Sequence, residues 1–183
     1  MFNRANMNTT ALTPVRVRIE RRTTLPCTAE RAWAWFADIP ASVHCFPQVT
    51  SCEPVVDPRN ALVTGWRVCM RPRPVGARLV QTVYACVYTL DRAAGVVEWH
   101  PMDQHLAPTA TARMSGRWAL EIAKAAAQAT AAPIPARLTI EGEIGLPIPA
   151  FATTIAAPRV QTEFDAMADA YVQRVRQALA AAD

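Results

Sequence analysis

Hydrophobic and polar positions alternate strictly near the start of the chain. From Pro14, "VRVRIERRTTL" puts Val15, Val17, Ile19 and Leu25 on one parity, with Arg21 and Thr23 between them. Arg16, Arg18, Glu20 and Arg22 take the other, which predicts a half-buried strand with one charged face in water. The period then changes. In "LPCTAERAWAWFADIP", Thr28 is placed to cap a helix, Glu30 sits in its first turn, and Pro40 ends it and starts a second short turn through Phe46. Ala29, Ala32, Trp33 and Phe36 form one helical stripe, with Trp35 and Ile39 on an adjacent one. So wide an apolar arc suits a helix wedged between a sheet and another helix.

Strand patterns follow. "TSCEPVVD" reads as a short strand, Pro58–Asn60 as a turn, and "LVTGWRVCMRP" as a strand with Trp66, Val68 and Met70 opposite Arg67, Cys69 and Arg71. "ARLVQTVYACVYTLD" reads as one long strand, "RAAG" as a hairpin turn, and "VVEWH" as a strand pairing Val97 and Trp99 on one face. Residues 112–131 are ambiguous. Met114, Trp118, Leu120 and Ile122 alternate with Arg113, Arg117 and Glu121, yet "ALEIAKAAAQA" has helix propensity; the strand is the preferred reading. "ARLTIEGEIGL" alternates cleanly, with Leu138, Ile140, Ile144 and Leu146 against Arg137, Thr139, Glu141 and Glu143. After proline punctuation ending at Pro158, a long amphipathic helix is predicted. Phe164, Met167, Ala168, Tyr171, Val172, Val175 and Leu179 lie on its apolar face, opposite Glu163, Asp165, Asp169, Arg174 and Arg176.

This order predicts an α+β fold: a curved antiparallel sheet of about six or seven strands gripping a long C-terminal helix, with two short helices after the first strand. A gap between curved sheet and helix is a natural hydrophobic pocket. Residues 1–13 lack periodicity and read as a disordered tail, leaving 14–183 as a single domain.

Composition narrows the functional classes. The 51% hydrophobic and 19% charged fractions are those of an ordinary globular protein. No apolar run reaches the roughly 18–20 residues of a membrane span, and "MFNRANMNTTALTP" lacks the apolar centre of a secretory signal, so a cytoplasmic location is expected. Cys27, Cys45, Cys52, Cys69 and Cys86 are odd in number and contain no C-x-x-C pair, which argues against a disulfide framework or a zinc site. The net charge of +4 is carried by arginine with Lys124 as the only lysine, the bias of a GC-rich coding sequence. Nucleic acid is therefore not an expected partner.

Leu25, Pro26, Glu30, Trp33, Phe36 and Asp38, followed by Phe46-Pro47-Gln48-Val49, resemble the opening motif of the START-like, SRPBCC or Bet v 1-like helix-grip superfamily, in a bacterial branch. The resemblance spans residues 15–182 as an order of elements and 25–49 as a residue pattern. It implies the helix-grip fold and membership among lipid and sterol carriers, polyketide cyclases and aromatases, and coenzyme-Q-binding proteins. Fold alone does not choose among these. Neither the paired Cys and His of the iron–sulfur oxygenases sharing the fold nor a 2-His-1-carboxylate spacing is present, so no cofactor and no metal are expected.

Catalytic signatures are sparse. His44, His100 and His105 do not sit at ligand spacing and read as loop or surface histidines. Ser42, Ser51 and Ser115 occupy no nucleophile elbow, and Cys45 has no defined partner. Glu141 and Glu143 share a face assigned to solvent, which leaves Gln81, Thr64 and Tyr171 as inward polar groups. "RVCMRPRPVGAR" gathers Arg67, Arg71, Arg73 and Arg78, either a solvated hairpin or an anion contact, with Arg71 and Arg73 as candidate head-group contacts. The candidate pocket takes Trp66 and Val68, Trp99, Met114 and Trp118, and Leu138 and Ile140 from the sheet. Phe164, Met167 and Tyr171 come from the last helix. The same residues serve equally as a filled core. The leading expectation is non-enzymatic binding or carriage of a hydrophobic small molecule such as a lipid, isoprenoid or polyketide-like ligand. The alternatives are a polyketide cyclase or dehydratase, and a protein-interaction module with a filled core and a protein partner.

Overall fold

The alternating first segment forms β1 (Thr13–Leu25), which pairs antiparallel along its whole length with β9 (Ile134–Leu146). Val15, Val17, Ile19 and Leu25 are buried and Arg16, Arg18, Glu20 and Arg22 exposed, as a period of two requires. The computed structural model describes residues 12–56, 62–76, 78–103, 107–121 and 133–181. Leu12 and Thr13, which the sequence assigns to a disordered tail, are among them, and Thr13 opens β1 with its hydroxyl donating to the Ile148 carbonyl. Residues 1–11 of that tail lie outside the described residues.

Two short helices follow, α1 (Ala29–Ala37) and α2 (Ile39–His44). Thr28 Oγ1 accepts the Arg31 amide at 3.4 Å, and Asp38 Oδ1 accepts that of Ala41 at 3.1 Å. Asp38 thus closes one helix and caps the next, which is the physical role of the aspartate in the opening motif.

The sheet is completed by β2 (Val49–Val56), β3 (Val63–Met70), β6 (Val83–Asp91), β7 (Val96–Pro101) and β8 (Ala112–Leu120). Its seven strands run β1-β9-β8-β7-β6-β3-β2, all antiparallel and curved. The ambiguous segment is strand from Ala112 to Leu120, and residues 122–132, Ile122 included, lie outside the described residues.

The stretch read as one strand from 77 to 91 is broken. β4 (Arg73–Val75) and β5 (Arg78–Val80) pair with each other as a separate two-stranded sheet, and only from Val83 does the chain rejoin the main sheet. Pro72 and Pro74 lack the N–H groups a ladder needs, and Gly76 at φ 59° supplies the left-handed turn. The base of the hairpin is closed by the Met70 amide donating to the Thr82 carbonyl at 3.0 Å and by Gln81 Nε2 donating to the Met70 carbonyl at 3.1 Å.

A 3₁₀ turn (Ala150–Ala152) leads into α3 (Thr153–Ala180). The helix therefore starts before Pro158 rather than after it. Proline costs the bond to the Thr154 carbonyl, but it sits on an exposed face within two turns of the helix start. Val160, Phe164, Ala168, Tyr171, Val175 and Leu179 are buried against the sheet in one core with Phe36 and Trp118. Arg21, on the inward parity of β1, is met by α3 carboxylates, with Nη2 2.7 Å from Asp165 Oδ1 and Nε 2.5 Å from Asp169 Oδ1. Among the described residues, no helix is long and apolar enough to cross a membrane.

Candidate functional site

A slot opens between the sheet and α3. Burying Trp118 at 1% exposure sets its floor, because Trp118 stands on β8 opposite Leu138 and touches a helix from each side. Phe36 of α1 packs on it at 5.1 Å between ring centroids, and Tyr171 of α3 at 6.0 Å. Trp35 meets Phe36 edge-on at 4.9 Å, so the aromatic run of α1 braces one end of the slot. Phe46 continues the chain of rings to Tyr171 at 5.1 Å and Phe164 at 6.2 Å.

The far wall depends on a glycine. Trp99 lies over Gly116 of the neighbouring strand, where an added Cβ would collide with Trp99 Cζ2. That absence of a side chain lets the indole lie flat and stack on Tyr88, with centroids 5.9 Å apart and planes at 26°.

Of the residues predicted for the pocket, Trp99, Met114, Trp118 and Ile140 line the slot from the sheet, and Phe164, Met167 and Tyr171 line it from α3. Trp66, Val68 and Leu138 lie outside the lining. Val68 is fully buried under Ile39 and Val43 of α2, Trp66 packs against that same cluster, and Leu138 is fully buried in the main core. Sequence reasoning missed Phe36, Phe46, Tyr84 and Tyr88, all of which line the slot. The spacing of Tyr84, Cys86 and Tyr88 carried the signal, but "VYACVY" is apolar on both parities, so alternation does not say which set faces inward.

The slot is slender. Its enclosed space is about 60 Å³. Outside lies a wider groove of about 680 Å³, between the β4–β5 hairpin and the first half of α3. Gln48, Arg73 and Met167 belong to both and form the partition between them. Gln48 holds φ at 68°, uncommon for a side-chain-bearing residue, while its carbonyl accepts the Arg71 amide at 2.7 Å.

The charged side chains of the slot lining are Arg71 and Arg73, both at the mouth, and no Asp, Glu or His is among them. Inside, the polar groups are chiefly phenols. Tyr171 Oη accepts from Trp118 Nε1 at 3.1 Å. Burial raises the Tyr171 pKa, with the indole N–H opposing the shift only in part, and raises Tyr84 and Tyr88 well above the ordinary phenol range. Burial is the largest cause for all three, with Tyr171 adding to the shift of Tyr84, and Tyr84 and Tyr171 adding to that of Tyr88, so all three are neutral at physiological pH.

Other candidate groups stand elsewhere. Cys86 is pushed up to about 12 by burial and its Sγ donates to the Met114 carbonyl, while burial first and Glu53 second push Cys52 up to about 11. These are inert thiols. His44 and His100 are exposed, and His105 lies outside the described residues. Glu141 is exposed and Glu143 pairs with Arg16 on the outer face. Gln81, expected to point inward, is exposed at the base of the hairpin, and the Thr64 side chain lies outside the described residues. Arg67 faces Glu53 at 3.9 Å, away from the slot. Among the described residues, no three His, Cys, Asp or Glu side chains gather as a metal would need.

The protein TTHA0849 of Thermus thermophilus shares the architecture at a TM-score of 0.59 and 17% identity, over 92% of this chain and 99% of its own. The Zhui aromatase/cyclase of Streptomyces sp. R1128 does so at 0.60 and 15%, over 90% and 93%. A START superfamily protein of Mycobacterium smegmatis does so at 0.56 and 10%, over 88% and 96%. At these identities the likeness is one of fold. No curated protein matches the sequence. Residues 16–176 match the family model described as polyketide cyclase / dehydrase and lipid transport. The chain therefore belongs to that family, within the START-like superfamily whose opening motif it carries.

Proposed function

We propose that this protein is a cytoplasmic binder or carrier of a hydrophobic small molecule, such as a lipid, isoprenoid or polyketide-like compound, held in the slot between sheet and α3. The observation that carries the reading is an aromatic and aliphatic lining with its cationic groups confined to the mouth. Burial drives binding, at roughly 25 cal/mol for each Å² of apolar ligand surface removed from water. Tyr84, Tyr88 and Tyr171 offer neutral hydroxyl donors to an oxygen on the ligand, and Arg71 and Arg73 orient a polar end at the mouth.

Cyclase or dehydratase chemistry is the second reading, favoured by the family description and by these donors. It needs a group that takes up a proton, and the lining offers neither carboxylate nor imidazole, while the phenols are held protonated. Binding without turnover is the better fit.

Native mass spectrometry of the purified protein, followed by organic extraction, tests this. A hydrophobic species recurring at near one per chain is the expected result. A clean apo mass after incubation with lipid extract from the native host overturns it in favour of a filled core with a protein partner.

A further inference from the structure

Arg73 occupies an unusual position. It is the charged member of the partition between the inner slot and the outer groove, and it is held from outside. Its Nη1 lies 2.6 Å from Glu163 Oε2 on α3, tying hairpin to helix across the mouth. The other oxygen of Glu163 accepts from Arg159 Nε at 3.2 Å, one turn earlier on the same helix.

Three features make this pair exchangeable. The hairpin that carries Arg73 pairs as a two-stranded sheet of its own, apart from the seven-stranded one, so its movement would leave the main ladder intact. Glu163 keeps Arg159 as a partner if Arg73 leaves, so no carboxylate is stranded. Arg73 and Arg159 both pair with Glu163, and Arg71 lines the slot beside them, so among the described lining residues of slot and groove three arginines stand against one carboxylate and leave an excess of positive charge at the entrance. The slender slot adds a requirement. A ligand of any size has to part the walls, and the hairpin is the wall that stands outside the main sheet.

Resting on the binding function proposed above, we propose that the Arg73–Glu163 pair is an exchangeable latch and that the ligand is an amphiphile with an apolar body and one carboxylate-like anionic group. The anion takes Arg73 from Glu163 as the body enters the slot. Glu163 then stays with Arg159, and the hairpin is released from α3 until the ligand departs. Anionic amphiphiles are admitted in preference to neutral ones because only an anion replaces what the guanidinium gives up.

The test uses dansyl-labelled undecanoic acid and its methyl ester, which differ by one charge, titrated against the full chain at fixed salt. The native protein is expected to bind the acid about tenfold more tightly than the ester. Glu163→Gln raises acid affinity severalfold and leaves the ester unchanged, while Arg73→Gln abolishes the preference. Retention of the native near-ultraviolet dichroism by the double variant shows that it is folded. Amide hydrogen exchange across residues 73–80 quickens with acid bound and not with ester. Equal binding of acid and ester by native protein and both single variants overturns the latch and leaves the hydrophobic slot standing. Failure of both probes to bind the native protein and every variant overturns the slot as well.

Discussion

Tyr171 accepts the Trp118 indole proton in a site with no water-facing alternative, since both side chains are buried. Tyr171→Phe keeps the ring contacts but strands that N–H, and a loss of about 1–3 kcal/mol is expected in urea unfolding. Gly116→Ala drives a methyl into Trp99 and the Thr139 carbonyl, and should cost about 1–3 kcal/mol with a change in near-ultraviolet dichroism from the displaced indole. Asp165 behaves differently. Its carboxyl is held below the usual 3.8, first by the Gln161 amide and then by Arg21. A depressed carboxylate stabilises the fold above its unfolded pKa and loses that contribution as pH falls through the folded one. The stability gap between native protein and Asp165→Asn should therefore be full at about pH 6 and close as pH falls through the depressed folded pKa. These residues also mark how far a single sequence reaches. Period two assigns Trp118, Met114 and Ile140 to the inner face correctly, but it cannot say which stretch of that face a helix covers. Val68 and Trp66 share the parity of Met70 yet end under α2, because the coverage is decided by elements distant in sequence.

At the scale of elements, local signals that act within one turn were readable. Thr28 caps where the pattern places it, whereas the cap that Asp38 gives the second helix shows only in the structure, and Thr28→Ala is expected to cost about 1 kcal/mol, measurable as a lower urea midpoint with unchanged slope. The strands with one polar face were legible for the same reason, their side chains alternating between water and core. The β4–β5 hairpin was not. Its strands are only three residues each, and the break before Val83 is made by bonds from Met70 and Thr111 that no local pattern announces. The start of α3 was misplaced because proline is read as a stop, whereas near a helix start the lost hydrogen bond is tolerable. Hairpin and helix start flank the groove, so the least legible elements are those that frame the entrance.

For the whole molecule, β1 begins at Thr13 and pairs with β9 along its whole length. Deleting residues 1–11 should move the thermal midpoint by less than about 2 °C, as read by calorimetry. The order of the strands has a further consequence for how the chain is made. β1 is made before the other strands of the described sheet, yet its hydrogen-bonded neighbour there is β9, made after all of them. During synthesis at about 5–20 residues per second, β1 waits on the order of ten seconds for its partner. Throughout that interval its Val15, Val17 and Ile19 have no completed core to enter. Each chain broken off before β9 is left with an unmatched first strand and a recognisable apolar face. Closure between first and last strands thus makes completion of the polypeptide a condition for hiding its core, and offers proteases and chaperones a ready mark of an unfinished product.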